Sequence, residues 1–122
     1  VLCRDPSKKE NDKGPRLEQF YKTADTKFLF TKPIKYVITS REERFRKSTE
    51  AWLLQHNITY EKLIMKPTGN PGGNQAHSEY KANMLNQMPE IQLYIESDPK
   101  QAKVISQLVN IPVWCTDNQK LY

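Results

Sequence analysis

Three short stretches of this sequence carry groups suited to a phosphorylated ligand. Thr39-Ser40-Arg41 closes one apolar run, Glu96-Ser97-Asp98 closes another, and Thr116-Asp117 follows a third. A hydroxyl beside backbone N–H groups can hold a phosphate oxygen, and a carboxylate at a neighbouring strand end can hold Mg²⁺ directly or through water. Lys81 lies one helix before Glu96 and could add a point charge for the same phosphate. An exposed helix-face lysine is most often only solvated, so composition alone does not select it. Hydroxyl, lysine and carboxylate, taken in that order, make a phosphate site: Thr39, Ser40, Arg41 and Lys81 for the phosphate, Glu96 and Asp98 for the metal.

These groups need strands and helices to position them. Pro15 suits a first helical position, and Leu17, Phe20 and Tyr21 give a short amphipathic helix that fades by Asp25. Ile34 to Thr39 is β-branched and aromatic with one charge, the pattern of a buried strand. Glu42 to His56 places Phe45, Thr49, Trp52, Leu53 and His56 on one helical face, and Asn57 is suited to end that helix in a left-handed conformation. Leu63-Ile64-Met65 predicts a second strand within Ile58 to Met65. Pro67 to Asn74, with three glycines and two prolines, is a loop. A helix from about Ala76 to Met88 with Tyr80, Met84, Leu85 and Met88 inward, a strand Ile91 to Ile95, a helix from Pro99 with Ala102, Ile105, Leu108 and Val109 apolar, and a strand Pro112 to Cys115 complete the series.

Strands alternating with helices argue for βαβ units, and thus for an α/β, three-layer Rossmann-like fold with a mainly parallel sheet. Ligands in such sheets bind beyond the carboxyl ends of the strands, where the three candidate stretches fall. Neither GxGxxG nor GxxxxGK[ST] occurs, so a dinucleotide fingerprint and a P-loop are both absent.

The chain has 122 residues, the length of one domain, and a formal net charge of +5. No run approaches the roughly 18 to 20 apolar residues of a membrane span, and the N-terminus has no signal-peptide pattern. Cys3 and Cys115 have the wrong count and spacing for a disulfide scaffold or a zinc site. Free thiols in a reducing, cytoplasmic setting are expected, with no membrane partner. Arg41, Arg44, Arg46 and Lys47 cluster at one helix start, where a nucleotide phosphate or a nucleic-acid backbone could bind. Without interleaved exposed aromatics a solvated helix face explains them better, and nucleic acid is not the expected partner.

Plainer roles compete for the other residues too. Thr39-Ser40 could cap a helix, and Glu96 and Asp98 could favour the positive end of the helix starting at Pro99. His77 stands alone, without a second ligand at metal spacing, and His56 suits a helix C-terminus. Trp52 and Trp114 read as core.

Order and spacing add a further reading. Val37-Ile38-Thr39-Ser40-Arg41, Arg46, Thr49-Glu50-Ala51-Trp52-Leu53, His56-Asn57-Ile58, Lys81 and Tyr94-Ile95-Glu96-Ser97-Asp98-Pro99 together resemble the haloacid-dehalogenase-like (HAD) phosphatase superfamily. Val1-Leu2-Cys3-Arg4-Asp5-Pro6, with Glu10-Asn11-Asp12 and Gly14, is similar to the HAD-type domain that accompanies phosphoribosyltransferase-like domains in some bacterial and phage proteins. The resemblance implies a phosphatase acting with Mg²⁺ on a small phosphate monoester, nucleotide-related ones included, with a phosphoribosyltransferase-like domain as a candidate partner.

The resemblance also implies roles. Thr39 would bind the transferring phosphoryl group, Lys81 would offset charge on nucleophile and phosphate, and Glu96, helped by Asp98, would stand near Mg²⁺. The family's first motif, a pair of aspartates before Val-Leu-Cys, is missing from a sequence that starts at Val1. Since the first of those aspartates attacks phosphorus and the second serves as acid and base, the chain is expected to be an inactive, N-terminally truncated single domain. The missing strand is central, so the strands ending at Thr39 and Glu96 are expected either to pair directly or to leave a slot for a partner chain. The alternative reading is a noncatalytic module that holds a phosphorylated ligand through Thr39, Arg41 and Lys81, or a nucleic acid.

Overall fold

A computed structural model describes all of residues 1–122. The chain is mixed α/β, with four helices and two small sheets, and it divides into two compact units, Leu2–Thr68 and Gly69–Tyr122, the latter including Val1.

The first unit is built from α1 (Pro15–Thr23), β1 (Ile34–Glu42), a single 3₁₀ turn (Glu43–Phe45), α2 (Arg46–Gln55) and β2 (Tyr60–Lys66). Pro15 opens α1 as expected, and the Asp12 carboxylate accepts the otherwise orphaned N–H groups of Gly14, Arg16 and Leu17. β1 and β2 pair in parallel, joined by α2. Leu17, Phe20, Tyr21, Ala24, Phe45, Trp52, Leu53, Leu63 and Met65 form one apolar core, and the indole of Trp52 donates to the Ala24 carbonyl at 2.7 Å. Burial of that indole is therefore not left unsatisfied. Asn57 ends the helix at φ 55°, as its type suggested.

β1 departs from the expectation in two ways. It runs three residues beyond Thr39, and it is half-buried apart from the exposed Lys35. Its ladder with β2 is interrupted: Thr39 faces Met65, but the next partner pair is Glu42 with Lys66. Ser40 and Arg41 are thus extra residues in a bulge, and such bulges re-aim side chains.

The second unit contains α3 (Asn74–Asn86), β3 (Tyr94–Glu96), α4 (Pro99–Leu108), β4 (Val113–Cys115) and β5 (Lys120–Leu121). β3 and β4 are parallel, joined by α4, while β5 returns antiparallel to β4. Ala82, Leu85, Ala102, Ile105, Val109, Val113 and Cys115 are its buried apolar residues. The face of α3 that is buried carries Ser78, Lys81, Ala82 and Leu85; Tyr80, Met84 and Met88 are only half-buried. β3 is three residues long because its ladder begins only where β4 supplies a partner, at Tyr94 with Val113, leaving Leu93 exposed. Leu108 is exposed, and Trp114 is 36% exposed on the outer face of β4, so neither is core.

The strands do not form the one mainly parallel sheet that was expected. The order is β1-β2 in one sheet and β3-β4-β5 in another, so the strands ending at Thr39 and Glu96 do not pair directly. Both cysteines are free, and no helix is long and apolar enough to cross a membrane.

Two adjacent leucines of α2 test this packing. Leu53 is 2% exposed and Leu54 is 79% exposed. Leu53→Ala should lower unfolding free energy by about 3 kcal/mol, and Leu54→Ala should change it by less than about 0.5 kcal/mol. Urea titrations followed by circular dichroism measure both, and equal effects would contradict the assignment of faces on α2.

Candidate functional site

The strongest concentration of chemistry lies in the second unit. Lys81 is on the third turn of α3 and Glu96 ends β3, and the lysine Nζ donates to Glu96 Oε2 at 2.7 Å. Their side chains are 11% and 5% exposed. This is a buried ion pair rather than a surface one, and buried charges persist only when the surrounding polar groups satisfy them.

Most of the remaining valences have partners nearby. Lys81 Nζ also donates to Gln101 Oε1 at 3.0 Å. The Tyr94 hydroxyl donates to Glu96 Oε2 at 3.3 Å, and Glu96 Oε1 accepts the backbone N–H groups of Ser97 at 2.9 Å and Asp98 at 3.4 Å. Burial pushes the Glu96 carboxyl up, but the Lys81 charge, its hydrogen bond and the two N–H donors outweigh this and hold Glu96 below the usual carboxylate range. Burial, followed by the Glu96 charge and the hydrogen bond to it, pushes Tyr94 well above its ordinary value. The tyrosine stays protonated and acts as a donor.

Asp98 does something else. Its Oδ1 accepts the N–H groups of Lys100 at 2.8 Å and Gln101 at 3.3 Å, which makes it the N-cap of α4 with Pro99 following. The helix-end role weighed for Asp98 is therefore the one it performs, whereas Glu96 is held by Lys81.

Glu96 and Asp98 as arranged do not fit a magnesium ion. Mg²⁺ requires near-octahedral oxygens at about 2.0–2.1 Å; both Glu96 oxygens already accept hydrogen bonds, a lysine ammonium stands 2.7 Å from one of them, and Asp98 is engaged by its helix. No group of three or more His, Cys, Asp or Glu side chains converges anywhere in the chain.

Thr39, Ser40 and Arg41 belong to the first unit. They do not cap a helix: neither the 3₁₀ turn nor α2 has a side-chain cap. Thr39 Oγ1 accepts the backbone N–H of Arg41 at 3.1 Å across the bulge. The Ser40 hydroxyl oxygen is buried without a hydrogen-bond partner, an unusual state for a buried polar atom. Arg41 lies over the Tyr21 ring, 4.0 Å from its centroid, and its guanidinium donates to Thr49 Oγ1 at 3.3 Å and to the Cys3 sulfur at 3.2 Å. The ring and the two acceptors hold this cation in place.

Two more arginines of the basic cluster are tied to acids. Arg46 pairs with Glu43 and Glu50 and donates to the Leu63 carbonyl, and Arg44 donates to the Lys13 carbonyl and pairs with Glu42. Local pairing of this kind reduces the field that a phosphate backbone would meet.

Sequence reasoning thus selected Lys81 and Glu96 and missed Tyr94, Gln101 and Asn74. The detectable signal for Gln101 was a glutamine beside Ala102 and four residues before Ile105, where the helical pattern calls for an apolar residue.

Breaking the pair from one side should be more damaging than removing it. Lys81→Met leaves Glu96 buried and uncompensated and should destabilise the chain by about 3–5 kcal/mol, while Lys81→Met with Glu96→Leu should recover most of that. The pH dependence has a definite sign. The folded Glu96 carboxyl lies below the unfolded one, so its contribution is complete above about pH 4.3 and is lost as pH falls through the folded value. In Lys81→Met the slope at Glu96 should reverse, with stability falling as pH rises. Urea midpoints measured across acidic and neutral pH check both signs.

No family model, curated protein or solved structure matches this chain.

Proposed function

We propose that this chain carries the greater part of a HAD-like phosphatase domain, hydrolysing small phosphate monoesters, nucleotide-related ones included, when joined to an Asp-x-Asp strand. The observation that carries the reading is the buried Lys81–Glu96 pair at the carboxyl end of parallel strand β3. A domain of this size gains little stability from a buried ion pair over an apolar one, and perturbed charges at strand ends are where function concentrates. An ammonium has three N–H donors. Glu96 and Gln101 take two of them, which leaves the third for a ligand oxygen.

On this reading Lys81 neutralises charge on the phosphoryl group, and Glu96 sets the charge balance of Lys81. Thr39, with Ser40 and Arg41 in the β1 bulge of the first unit, carries the hydroxyls and the cation that the resemblance assigns to phosphate. The proposed fold is three-layer and Rossmann-like, with the nucleophile strand at its centre. Magnesium is the proposed cofactor, and its carboxylates would come with the nucleophile segment, because Glu96 and Asp98 are already engaged.

A second reading, phosphate binding without turnover, draws on Arg41, a cation placed over the Tyr21 ring and hydrogen-bonded to the Thr49 hydroxyl and the Cys3 sulfur. Extending the chain at Val1 with an Asp-x-Asp-Gly strand separates the two. The extended protein should release phosphate from p-nitrophenyl phosphate with Mg²⁺ and not with EDTA, and Lys81→Ala should reduce kcat/KM by roughly 10²–10³. Phosphate binding by calorimetry with no turnover would overturn the catalytic reading in favour of the second.

A further inference from the structure

Glu96 is only one of the two groups that hold the Lys81 ammonium. Gln101 is 9% exposed, on the face of α4 that otherwise carries Ala102 and Ile105. An amide there is unfavourable unless both of its ends are satisfied. Both are: Oε1 accepts from Lys81 at 3.0 Å and Nε2 donates to Asn74 Oδ1 at 3.2 Å. The direction of the amide follows from its neighbours. An ammonium only donates, so the oxygen must face Lys81 and the NH₂ must face Asn74.

Asn74 is the first residue of α3. It follows Gly73, whose φ of 92° suits glycine, and its carbonyl accepts the Ser78 hydroxyl at 2.7 Å. A continuous chain of hydrogen bonds therefore runs from the start of α3 through Gln101 to Lys81 and Glu96.

Geometry gives this chain a consequence. A lysine stem is flexible, and a single partner leaves its ammonium free to rotate. Two fixed N–H directions of a tetrahedral ammonium leave one direction for the third. Charge adds a second consequence. Gln101 is neutral, so Lys81 with Glu96 sums to zero; a carboxylate at position 101 would hold the ammonium equally well but would make the surroundings negative and repel an anion.

We propose that Gln101 is a positioning residue for Lys81, set in turn by Asn74, and that its neutrality is what lets an anion share the ammonium. The second half rests on the reading of Lys81 as a phosphate group's partner. The test uses the 122-residue chain labelled with ¹⁵N-lysine, with the Lys81 ammonium signal assigned through Lys81→Arg. Gln101→Met, of similar volume but unable to accept, should speed hydrogen exchange at that ammonium by roughly tenfold, the loss of about one charged hydrogen bond. Asn74→Ala should act in the same direction, and it keeps the test decisive if Gln101→Met fails to fold. Gln101→Glu should restore slow exchange yet weaken the shift that added inorganic phosphate produces in the original chain. Unchanged exchange in both Gln101→Met and Asn74→Ala would overturn the positioning role. Slow exchange in Gln101→Glu with an undiminished phosphate shift would overturn the role of neutrality. Exchange that responds as expected, with no phosphate shift in the original chain, would uphold the positioning and reject Lys81 as a phosphate partner.

Discussion

Two opposite charges buried 2.7 Å apart set the terms for the second unit. Removing a lysine and a glutamate from water is expensive, and their mutual attraction repays it only when further hydrogen bonds support both groups. That requirement reaches well past the pair. It needs Tyr94 as a protonated donor, Gln101 as an acceptor with its own outlet at Asn74, and the N–H groups of Ser97 and Asp98 turned toward Glu96 Oε1. Those N–H groups are presented because α4 begins immediately afterwards, with Asp98 capping it. Strand end, helix start and ion pair are therefore one construction, and none of the three is arranged independently of the others.

The first unit works differently. Its cohesion is apolar, with α1, the 3₁₀ turn and α2 contributing Phe20, Tyr21, Phe45, Trp52 and Leu53 to a common cluster. Its polar interest is local, at the place where β1 leaves register with β2. There a hydroxyl is occupied by backbone, a neighbouring hydroxyl oxygen has no partner, and an arginine lies over a tyrosine ring. The two units thus concentrate polar chemistry by contrasting means, one by burying charge and one by bulging a strand.

What could be read from residue order was mostly local. The helix begun by Pro15, the left-handed Asn57 and the helix begun by Pro99 depend on neighbours in sequence, and all are found. Periodicity located α2 but rotated the inward face of α3, because Tyr80, Met84 and Met88 are larger and more apolar than Ser78 and Lys81, while burial there is decided by what Lys81 meets across the unit. Strand lengths were misjudged for a similar reason. Ile91 and Leu93 look like strand residues, yet a strand extends only as far as its partner does, and β4 starts at Val113. Trp114 was read as core from its type, but in a three-residue strand the middle side chain must face away from Val113 and Cys115. The β5 return was not seen at all; two residues carry too little pattern to show. At the candidate site, Lys81 and Glu96 were singled out through the family resemblance, whereas the amide and hydroxyl that meet them required a map of who is near whom.

The bulge in β1 has a further property that concerns length. Between Thr39 and Glu42 the strand advances three residues while β2 advances one, from Met65 to Lys66, a difference of two. Side chains alternate faces with every residue, so an even difference leaves the alternation of both strands in phase on either side of the irregularity. A lineage could gain or lose this pair of residues together without turning any other side chain of the strand to the opposite face. The loss or gain of one alone would invert everything beyond it. The stretch carrying Ser40 and Arg41 is in that sense a removable module of fixed parity, set into a ladder that would close without it.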